Sequence, residues 1–495
     1  MVVLNSDTLE AIAARVPAPA YDRSQMRVGI VHFGVGGFHR AHQAMYLDRL
    51  MQDGAARDWA ICGVGLLPGD RHMADVLQAQ DGLYTLVTKP PDGTLEPRVI
   101  GSIARYLYGP ADPAAVLDQM ADPAVRIVSL TVTEGGYHVN PVTGELDPAA
   151  PELQHDLAHP EVPSSMFGYV LAALRRRRAA GVPPFTVVSC DNIQGNGDVA
   201  RAMLVAFAGL QDPDLGGWID AEVSFPNSMV DRITPATAAA DRTMVATRFG
   251  IIDEWPVVAE PFVQWVLEDN FPTGRPPFQD AGVQMVDDVV PYEMMKLRLL
   301  NASHQALCYL GYLAGYRYAH EVAADPLFRS FLLRYMRAEA APTLPPVPGV
   351  DLRDYQHQLI GRFANAHVRD TLARLCAESS DRIPAWLVPV VVKNLQTGRS
   401  VACSALVVAA WARYAEGTDE QGRPIEVVDQ RRDRVMAAAG RQRQDELAFL
   451  RDRTLFGDLV DEARFVTAYR SALATLHRDG ARAALESLMA EGRIH

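Results

Sequence analysis

The segment that most constrains the fold of this chain is a compact β-rich run, Val28–Phe33, which meets the sequence GVGG at 34–37. An apolar helical pattern follows at 45–50. A strand, a glycine turn and a helix in this order are typical of the first unit of a parallel α/β sheet. A second strand, predicted at 59–66, lies at the distance expected for a βαβ unit.

Elements of the same kinds continue along the chain, with strands predicted at 126–132, 185–190 and 222–225, and helices near 113–121, 164–180 and 197–210. Two β-like runs at 83–88 and 95–100 flank the turn-forming sequence PPDG, which predicts a hairpin inserted into the sheet. From about residue 291 helical segments dominate. The sequence therefore predicts an α/β plus all-α protein, with a Rossmann-like dinucleotide-binding domain at 1–288 and a mainly helical C-terminal domain at 289–495.

The charge and the cysteine content limit which binding partners and which cellular compartment we expect for this chain. The 495 residues include 47 Lys and Arg against 60 Asp and Glu, a net charge of −13 that disfavours a nucleic-acid-binding surface. The five cysteines form no CxxC pair, which argues against a zinc site or a disulfide framework and favours the cytoplasm. Asp7 and Glu10 do not fit a secretory signal. The longest apolar run, 401–412, is shorter than the about 20 residues that cross a bilayer, and predicts a buried core helix rather than a membrane span.

The glycine turn predicts a cofactor site. Closely spaced glycines let the backbone approach a pyrophosphate, and free N–H groups at the following helix N-terminus hold its charge. We therefore expect a dinucleotide to be bound by Gly34, Gly36, Gly37, Phe38 and His39. His39 stands where G-x-G-x-x-G has its third glycine, and an ordinary turn is the alternative.

Asp70 follows the second predicted strand in the sequence Pro-Gly-Asp. A carboxylate there accepts hydrogen bonds from ribose hydroxyls and repels a 2′-phosphate, so we predict NAD in preference to NADP. The alternative is a residue that serves only the turn. His39 and His42 lie three apart on the predicted helix without accompanying cysteines or carboxylates, so no metal site is expected.

A polar triplet at 296–304 is the strongest catalytic candidate. At about 100° per residue, Lys296, Asn301 and His304 lie on one side of a helix. Desolvation by apolar neighbours would disfavour the ammonium form of Lys296, which suits a general base. The spacing alone fits an exposed polar stripe equally well.

Two polar clusters follow predicted strands, where ligands bind in open sheets. They are Asp191-Asn192 and the segment 227–232, which contains Asp231. The neutral amide of Asn192 can donate to an alkoxide or a carbonyl oxygen. Capping of helices or turns is the alternative for both clusters.

Seven ordered motifs together resemble one enzyme family. They are GVGGFHRAHQ at 34–43, DNIQGNG at 191–197, FPNSMVDRITPAT at 225–237, AEPF at 259–262, PYE at 291–293, KLRLLNASH at 296–304 and RFANAHVRDTLARLC at 362–376. The set is similar to the long-chain, zinc-independent polyol dehydrogenases, a family that includes mannitol 2-dehydrogenase and the hexuronate reductases. The resemblance covers nearly the whole chain.

The resemblance implies reversible, NAD-dependent and metal-independent oxidation of an acyclic polyol, with D-mannitol and D-fructose as the expected pair. It implies that Lys296 is the general base, that Asn192 and Asn301 hold the alkoxide, and that His304 bonds the reacting oxygen or its neighbour. Asp231, Arg374 and Arg382 would bind the remaining hydroxyls, and Glu293 would lie near the path by which the lysine proton exchanges with water.

The mannitol enzymes of the family have lysine at position 382, whereas this chain has Arg382. The planar guanidinium of arginine also suits a carboxylate, so the substrate could differ from mannitol. A hexuronate reductase, in which Arg374 and Arg382 grip the carboxylate, is therefore an alternative. Sorbitol and arabinitol stay open as substrates. A catalytically silent NAD-binding sensor is the alternative from another class. The sequence implies no obligate protein partner, and the family resemblance leans towards a monomer.

Overall fold

The computed structural model describes residues 1–140 and 143–491. The chain forms two compact units, Met1–Val290 and the part from Pro291 onward. The strands, numbered in chain order, are β1 (Val2–Val3), β2 (Val28–Phe33), β3 (Ala60–Gly65), β4 (Tyr84–Thr88), β5 (Glu96–Ile100), β6 (Ile103–Tyr108), β7 (Ile127–Leu130), β8 (Thr186–Ser189), β9 (Ser228–Asp231), β10 (Ile251–Ile252), β11 (Val257–Ala259), β12 (Gln264–Glu268) and β13 (Gln284–Val286).

A five-stranded parallel sheet in the order β6-β3-β2-β7-β8 forms the centre of the first unit. The α/β prediction is confirmed, as are the strands predicted at 59–66, 126–132 and 185–190. From β2 the chain builds outward through β3 to β6, and it then returns to add β7 on the other side of β2. The strand order therefore reverses between β2 and β7, which is where open α/β sheets bind ligands.

The helices of the first unit are α1 (Leu9–Ala13), α2 (Gly37–Ala41), α3 (Gln43–Gln52), α4 (Asp70–Ala79), α5 (Pro113–Ala121), α6 (Pro151–Ala158), α7 (Met166–Ala180), α8 (Asn196–Gln211), α9 (Pro213–Glu222) and α10 (Ala239–Phe249). Alternate residues of β2 are buried on opposite faces of the sheet. Val31 and Phe33 pack with side chains of α5, α7 and α8, whereas Ile30 packs with side chains of α3. Burial on both faces explains why β2 is apolar without alternation.

Two sequence predictions need correction. The hairpin β4–β5 forms as expected, but it belongs to a separate sheet in the order β11-β4-β5. The strand predicted at 222–225 is wrong, because Glu222 ends α9 and the next strand is β9. Strand β9 lies in a third sheet, in which it pairs antiparallel with β12. Ser224 is extended and accepts one hydrogen bond from Val187, but Pro226 has no N–H with which to continue such pairing.

The second unit is helical, as predicted. Its α-helices are α11 (Val290–Met295), α12 (Ala302–Leu313), α13 (Ala319–Ala324), α14 (Pro326–Arg334), α15 (Leu352–Phe363), α16 (Leu372–Cys376), α17 (Ser379–Arg382), α18 (Val388–Gln396), α19 (Ala402–Tyr414), α20 (Arg432–Gly440), α21 (Arg453–Phe456) and α22 (Ala463–Glu491). Helix α19 is buried almost throughout and packs against α22 and α12, which confirms the core helix predicted at 401–412. Helix α22 bends at Gly480, where φ is +87°.

Within the described part of the second unit, three π-helical stretches interrupt these helices, at Lys296–Asn301, Tyr335–Ala340 and Ile383–Leu387. The first joins α11 to α12, so that 290–313 is one continuous helical segment. Such stretches are rare and frequently occur at functional sites.

Candidate active site

The turn after β2 needs glycine at its first position. Gly34 has φ of +88°, and a Cβ there would lie 2.1 Å from the carbonyl oxygen of Thr131. The Thr131 hydroxyl donates to the Gly34 carbonyl at 2.7 Å, which joins the turn to the loop after β7. A Cβ at Gly36 would meet nothing closer than 3.9 Å. The turn is therefore closed on its inner side at Gly34 and open at Gly36, where a ligand can approach the backbone.

The side chain of His39 faces the protein interior and not this opening. Its ring is buried and stacks on the ring of His32, with centroids 3.4 Å apart. Burial lowers the pKa of His39 well below its usual range, so the ring is neutral. Phe38 stacks on His42, at which the predicted helix breaks into α2 and α3. At position 39 only the backbone remains for cofactor binding.

Two buried arginines hold α2 at its ends. Arg40 Nε donates to the carbonyl of Gly36 at 3.3 Å. Arg232 Nη1 donates to the carbonyl of Ala41 at 2.5 Å, while its Nε donates to the carbonyl of Glu260 at 3.0 Å. Burial lowers the pKa of each arginine to about 10, which leaves both charged at neutral pH. The charge of Arg40, whose guanidinium contacts the turn, favours an anionic ligand such as a pyrophosphate there.

Asp70 begins α4, directly after the turn that follows β3. Its Oδ2 accepts hydrogen bonds from the backbone N–H groups of Leu66 and Leu67, each at 2.9 Å. The carboxylate therefore closes the turn, as the alternative interpretation predicts. Among the described residues no donor contacts Oδ1, so that oxygen is available to a ribose hydroxyl as well.

Asn192 is exposed just after β8, at the same edge of the sheet as the glycine turn. Asp231 is the last residue of β9 and is buried, with an exposed fraction of 5%. It therefore ends its strand and does not follow one. Asn227 accepts hydrogen bonds from the backbone N–H groups of Gly197 and Asp198, which is the helix-capping role considered for this cluster.

In the second unit, Lys296, Asn301 and His304 are all buried on the segment 290–313, with exposed fractions of 7%, 5% and 8%. The α-helical angles assigned to them are wrong for 296–301, because this stretch is π-helical. Hydrogen bonds from i to i+5 bring residues five apart to successive turns, so Lys296 and Asn301 lie closer together around the axis than they would in an α-helix. The exposed-stripe alternative is excluded by their burial.

Further polar atoms surround this helix. Oδ1 of Asn301 is buried and accepts no hydrogen bond from the described residues. The ring of His304 packs on Phe363, with centroids 4.5 Å apart. Glu293 is also buried and lies three residues before Lys296.

The two predicted substrate arginines are joined to each other through the backbone. Arg374 forms a bidentate ion pair with Asp370, with Nε–Oδ1 and Nη2–Oδ2 distances of 2.7 and 2.6 Å. Arg382 Nη1 donates to the carbonyls of Arg374 and Leu375 at 3.2 and 3.0 Å. The fork of Arg374 is thus already occupied by a carboxylate of the protein.

Sequence reasoning overlooked Thr131 and Thr133 and treated Asp191 only as part of a cluster. These residues follow β7 and β8, and Asp191 bonds the backbone of the β7 loop. The signal that could have found the two threonines is the segment TVTEGG at 131–136, which follows the strand next to β2, since ligands bind where the strand order reverses.

Metal clusters and membrane-spanning helices are both absent from the described residues, 1–140 and 143–491. No group of three or more His, Cys, Asp and Glu side chains in this part of the chain is arranged to hold a metal ion. None of the helices in 1–140 and 143–491 is long and apolar enough to span a membrane.

Known proteins resemble the whole chain. The family described as "Mannitol dehydrogenase Rossmann domain" matches residues 28–280, and that described as "Mannitol dehydrogenase C-terminal domain" matches residues 288–477. A mannitol 2-dehydrogenase of Aspergillus fumigatus is 47% identical over 96% of this chain and 97% of its own length. One of Phaeosphaeria nodorum is 47% identical over 97% of this chain and 85% of its own.

Two solved structures share the fold over nearly their full length. The mannitol 2-dehydrogenase of Pseudomonas fluorescens, in a ternary complex with NAD and D-mannitol, has a TM-score of 0.91 and 47% identity, and covers 99% of each chain. A D-sorbitol dehydrogenase in substrate-free form has a TM-score of 0.89 and 38% identity, and covers 98% of this chain and 100% of its own. Both family domains and these full-length relatives agree with the two units described above, and the chain belongs to the mannitol dehydrogenase family.

Proposed function

We propose that this protein catalyses the reversible, NAD-dependent oxidation of D-mannitol to D-fructose. The observation that carries the proposal is the likeness to the P. fluorescens enzyme, at 47% identity over 99% of both chains, whose complex contains NAD and D-mannitol. The buried polar helix around Lys296 and the open glycine turn supply the base and the cofactor loop that such a reaction requires.

The residues of the first unit fit a dinucleotide. The backbone at Gly36 and Gly37 would hold the pyrophosphate, with the charge of Arg40 at the same turn, and Asp70 Oδ1 would accept a ribose hydroxyl. When bound, NAD supplies a nicotinamide ring that accepts a hydride from the carbinol carbon.

The residues proposed for catalysis have two separate tasks. One group moves the hydroxyl proton, and the other stabilises the negative charge that develops on the oxygen. Lys296 takes the hydroxyl proton as general base, and it returns that proton to solvent by a path along Glu293. The amides of Asn192 and Asn301 donate to the oxygen as negative charge develops on it. The donor of Asn301 would be its Nδ2, and His304 would bond the same oxygen or its neighbour. Asp231, Arg374 and Arg382 orient the remaining hydroxyls.

Binding of a polyol is favoured over binding of a hexuronate by the ion pair of Arg374. A substrate carboxylate would have to compete with Asp370 for the same two donors, whereas a neutral hydroxyl can accept from the outer edge of the fork. Arg382 already donates to two carbonyls, so it would contribute at most its positive charge to the binding of a substrate carboxylate.

A substrate panel tests the proposal. Purified protein is mixed with NAD or NADP and with mannitol, sorbitol, arabinitol or mannonate, and NADH or NADPH formation is followed by absorbance. We expect mannitol with NAD to be the fastest pair. Preference for mannonate would indicate a hexuronate reductase. NAD binding without turnover of any substrate would instead indicate a sensor.

We also propose a cytoplasmic location. All five cysteines, Cys62, Cys190, Cys308, Cys376 and Cys403, are free and buried, which supports a reducing compartment. A tag attached to the chain, detected by antibody in intact and in lysed cells, would test the location.

A further inference from the structure

Thr133 adopts a backbone conformation that threonine rarely takes. Its φ is +62° and its ψ is 172°, a region occupied almost only by glycine. A β-branched side chain makes this conformation a genuine outlier. Thr133 follows β7 at the position where the strand order reverses, and its side chain is exposed there. Such conformations persist only where the surroundings impose them.

The carboxylate of Asp191 imposes this conformation. Its Oδ1 accepts the N–H of Thr133 at 2.8 Å, and its Oδ2 accepts the N–H of Val132 at 3.1 Å. The hydroxyl of Tyr137 donates to Oδ2 at 2.7 Å and lies 2.6 Å from the hydroxyl of Ser189. Tyr137 and Ser189 have no exposed surface, and Asp191 is 7% exposed. Both oxygens of the carboxylate therefore accept hydrogen bonds from the protein.

Asp191 is also held through its backbone carbonyl. The side-chain amide of Asn196 donates to the carbonyls of Asp191 and Ser228, at 3.0 and 2.8 Å. The N–H of Ser228 donates in turn to Oδ1 of Asn196 at 2.9 Å. Ser228 begins β9, which ends at Asp231. One chain of hydrogen bonds thus runs from the loop after β7, through Asp191, to the strand that carries Asp231.

Asn192 follows Asp191 directly, and Asp191 is held by these hydrogen bonds through both its carboxylate and its backbone carbonyl. We propose that Asp191 is a positioning residue, which fixes the backbone at 131–133 and at 191–192 so that the amide of Asn192 meets the reacting oxygen in one geometry. The inference rests on the proposed function for the role of Asn192. Asp191 acts through the backbone and not on the substrate, because both oxygens of its buried carboxylate already accept hydrogen bonds from the protein.

The energetic balance explains why the arrangement needs a carboxylate. Two consecutive N–H groups and a phenol converge on Asp191, and charge-assisted bonds of this kind are about twice as strong as neutral ones. An asparagine keeps the shape but replaces one acceptor with a donor, which would face an N–H or O–H group. The strained Thr133 would then relax, and the segment at 191–192 would move with it.

The test compares Asp191→Asn with the double variant that also carries Thr133→Gly, which removes the backbone strain at position 133. For Asp191→Asn we expect kcat with mannitol to fall about 100-fold, the size expected for a reacting group misplaced by about 1 Å, while the Kd for NAD changes less than about threefold. Glycine adopts the conformation of Thr133 without strain, so Asp191→Asn combined with Thr133→Gly should recover about tenfold in kcat. Asp220→Asn, an exposed carboxylate on α9, is the matched control and should leave kcat unchanged.

Hydrogen exchange of the backbone amides at 131–134 and 191–196 provides a readout that needs no substrate. We expect faster exchange in both segments for Asp191→Asn, with the rest of the first unit unchanged. Unchanged exchange, unchanged kcat, or equal losses of kcat and NAD binding without rescue by Thr133→Gly would each overturn the inference. A wild-type protein that oxidises no polyol would refute the proposed function instead, and exchange alone would then decide whether Asp191 positions these loops.

Discussion

Gly34→Ala is the substitution whose cost follows most directly from the structure. Alanine at φ of +88° is strained by about 1–3 kcal/mol. Its Cβ would also lie 2.1 Å from the carbonyl oxygen of Thr131, so the turn must shift and lose the 2.7 Å hydrogen bond from the Thr131 hydroxyl, which is worth about 1 kcal/mol. Together these effects should destabilise the first unit by about 2–4 kcal/mol.

Gly36→Ala is the matched variant in the same turn. Gly36 has φ of −107° and ψ of −169°, which any residue adopts, and a Cβ there would meet nothing closer than the Gly34 carbonyl oxygen at 3.9 Å. Lower entropy of the unfolded chain should leave stability equal to that of the wild type or higher by up to about 1 kcal/mol. The added methyl group would, however, occupy the space through which a pyrophosphate approaches the backbone.

Urea unfolding and NAD titration, followed by protein fluorescence, separate the two effects. Gly34→Ala should lower the urea midpoint and weaken NAD binding. Gly36→Ala should keep the midpoint and weaken NAD binding at least about tenfold, since a contact of the pyrophosphate with the backbone would be lost. NAD binding by Gly36→Ala that equals the wild type would refute the assignment of this turn as the pyrophosphate site, and an unchanged midpoint for Gly34→Ala would refute the strain argument.

Three further predictions concern single side chains. Lys296→Ala should lower kcat with mannitol by a factor of about 100 or more while leaving the Kd for NAD unchanged, whereas Lys393→Ala, at an exposed lysine of the same unit, should alter neither. Asp70→Ala should raise the ratio of NADP to NAD turnover and lower the urea midpoint, because it also removes the bonds to the turn; an unchanged ratio would show that Asp70 serves the turn alone. Burial raises the pKa of Glu339, so the folded protein holds that proton more tightly than the unfolded chain does. The stability gained is complete below the unfolded pKa of about 4.3 and is lost as pH rises through the folded value. The stability of the wild type relative to Glu339→Gln, measured as urea midpoints, should therefore fall as the pH rises above the unfolded pKa, and a constant difference would contradict this linkage.

Much of the first unit could be predicted because its local signals agree with its fold. The apolar run of β2, the glycines after it and the strands at 126–132 and 185–190 all carry patterns that tertiary packing reinforces. The strand predicted at 222–225 failed because apolar residues in an extended segment do not reveal whether a partner strand continues beside them. The hydrogen bonds of β9 are made with β12, more than thirty residues later in the chain.

Side-chain environments were the least predictable part of the candidate site. His39 occupies a position in the glycine motif that suggested contact with the cofactor, yet its ring is buried against His32. Arg374 reads from the sequence as an available cation, but Asp370, four residues earlier, already holds its fork. Each case depends on which neighbour is reached in three dimensions, and spacing along the chain does not specify it.

The helix that carries Lys296 shows how a correct residue set can rest on an incorrect geometry. A period of 3.6 residues puts Lys296 and Asn301 well apart around the helix axis, which would direct the base and the alkoxide donor at different points. The π-helical stretch adds one residue to the turn between them, so the two side chains lie closer together around the axis than they would in an α-helix. A regular α-helix would need a different spacing to do this. If the base and the donor serve one oxygen, inserting a residue between them should abolish turnover even in a protein that still binds NAD, whereas deleting one would leave them four apart, a spacing that an α-helix also brings to one face.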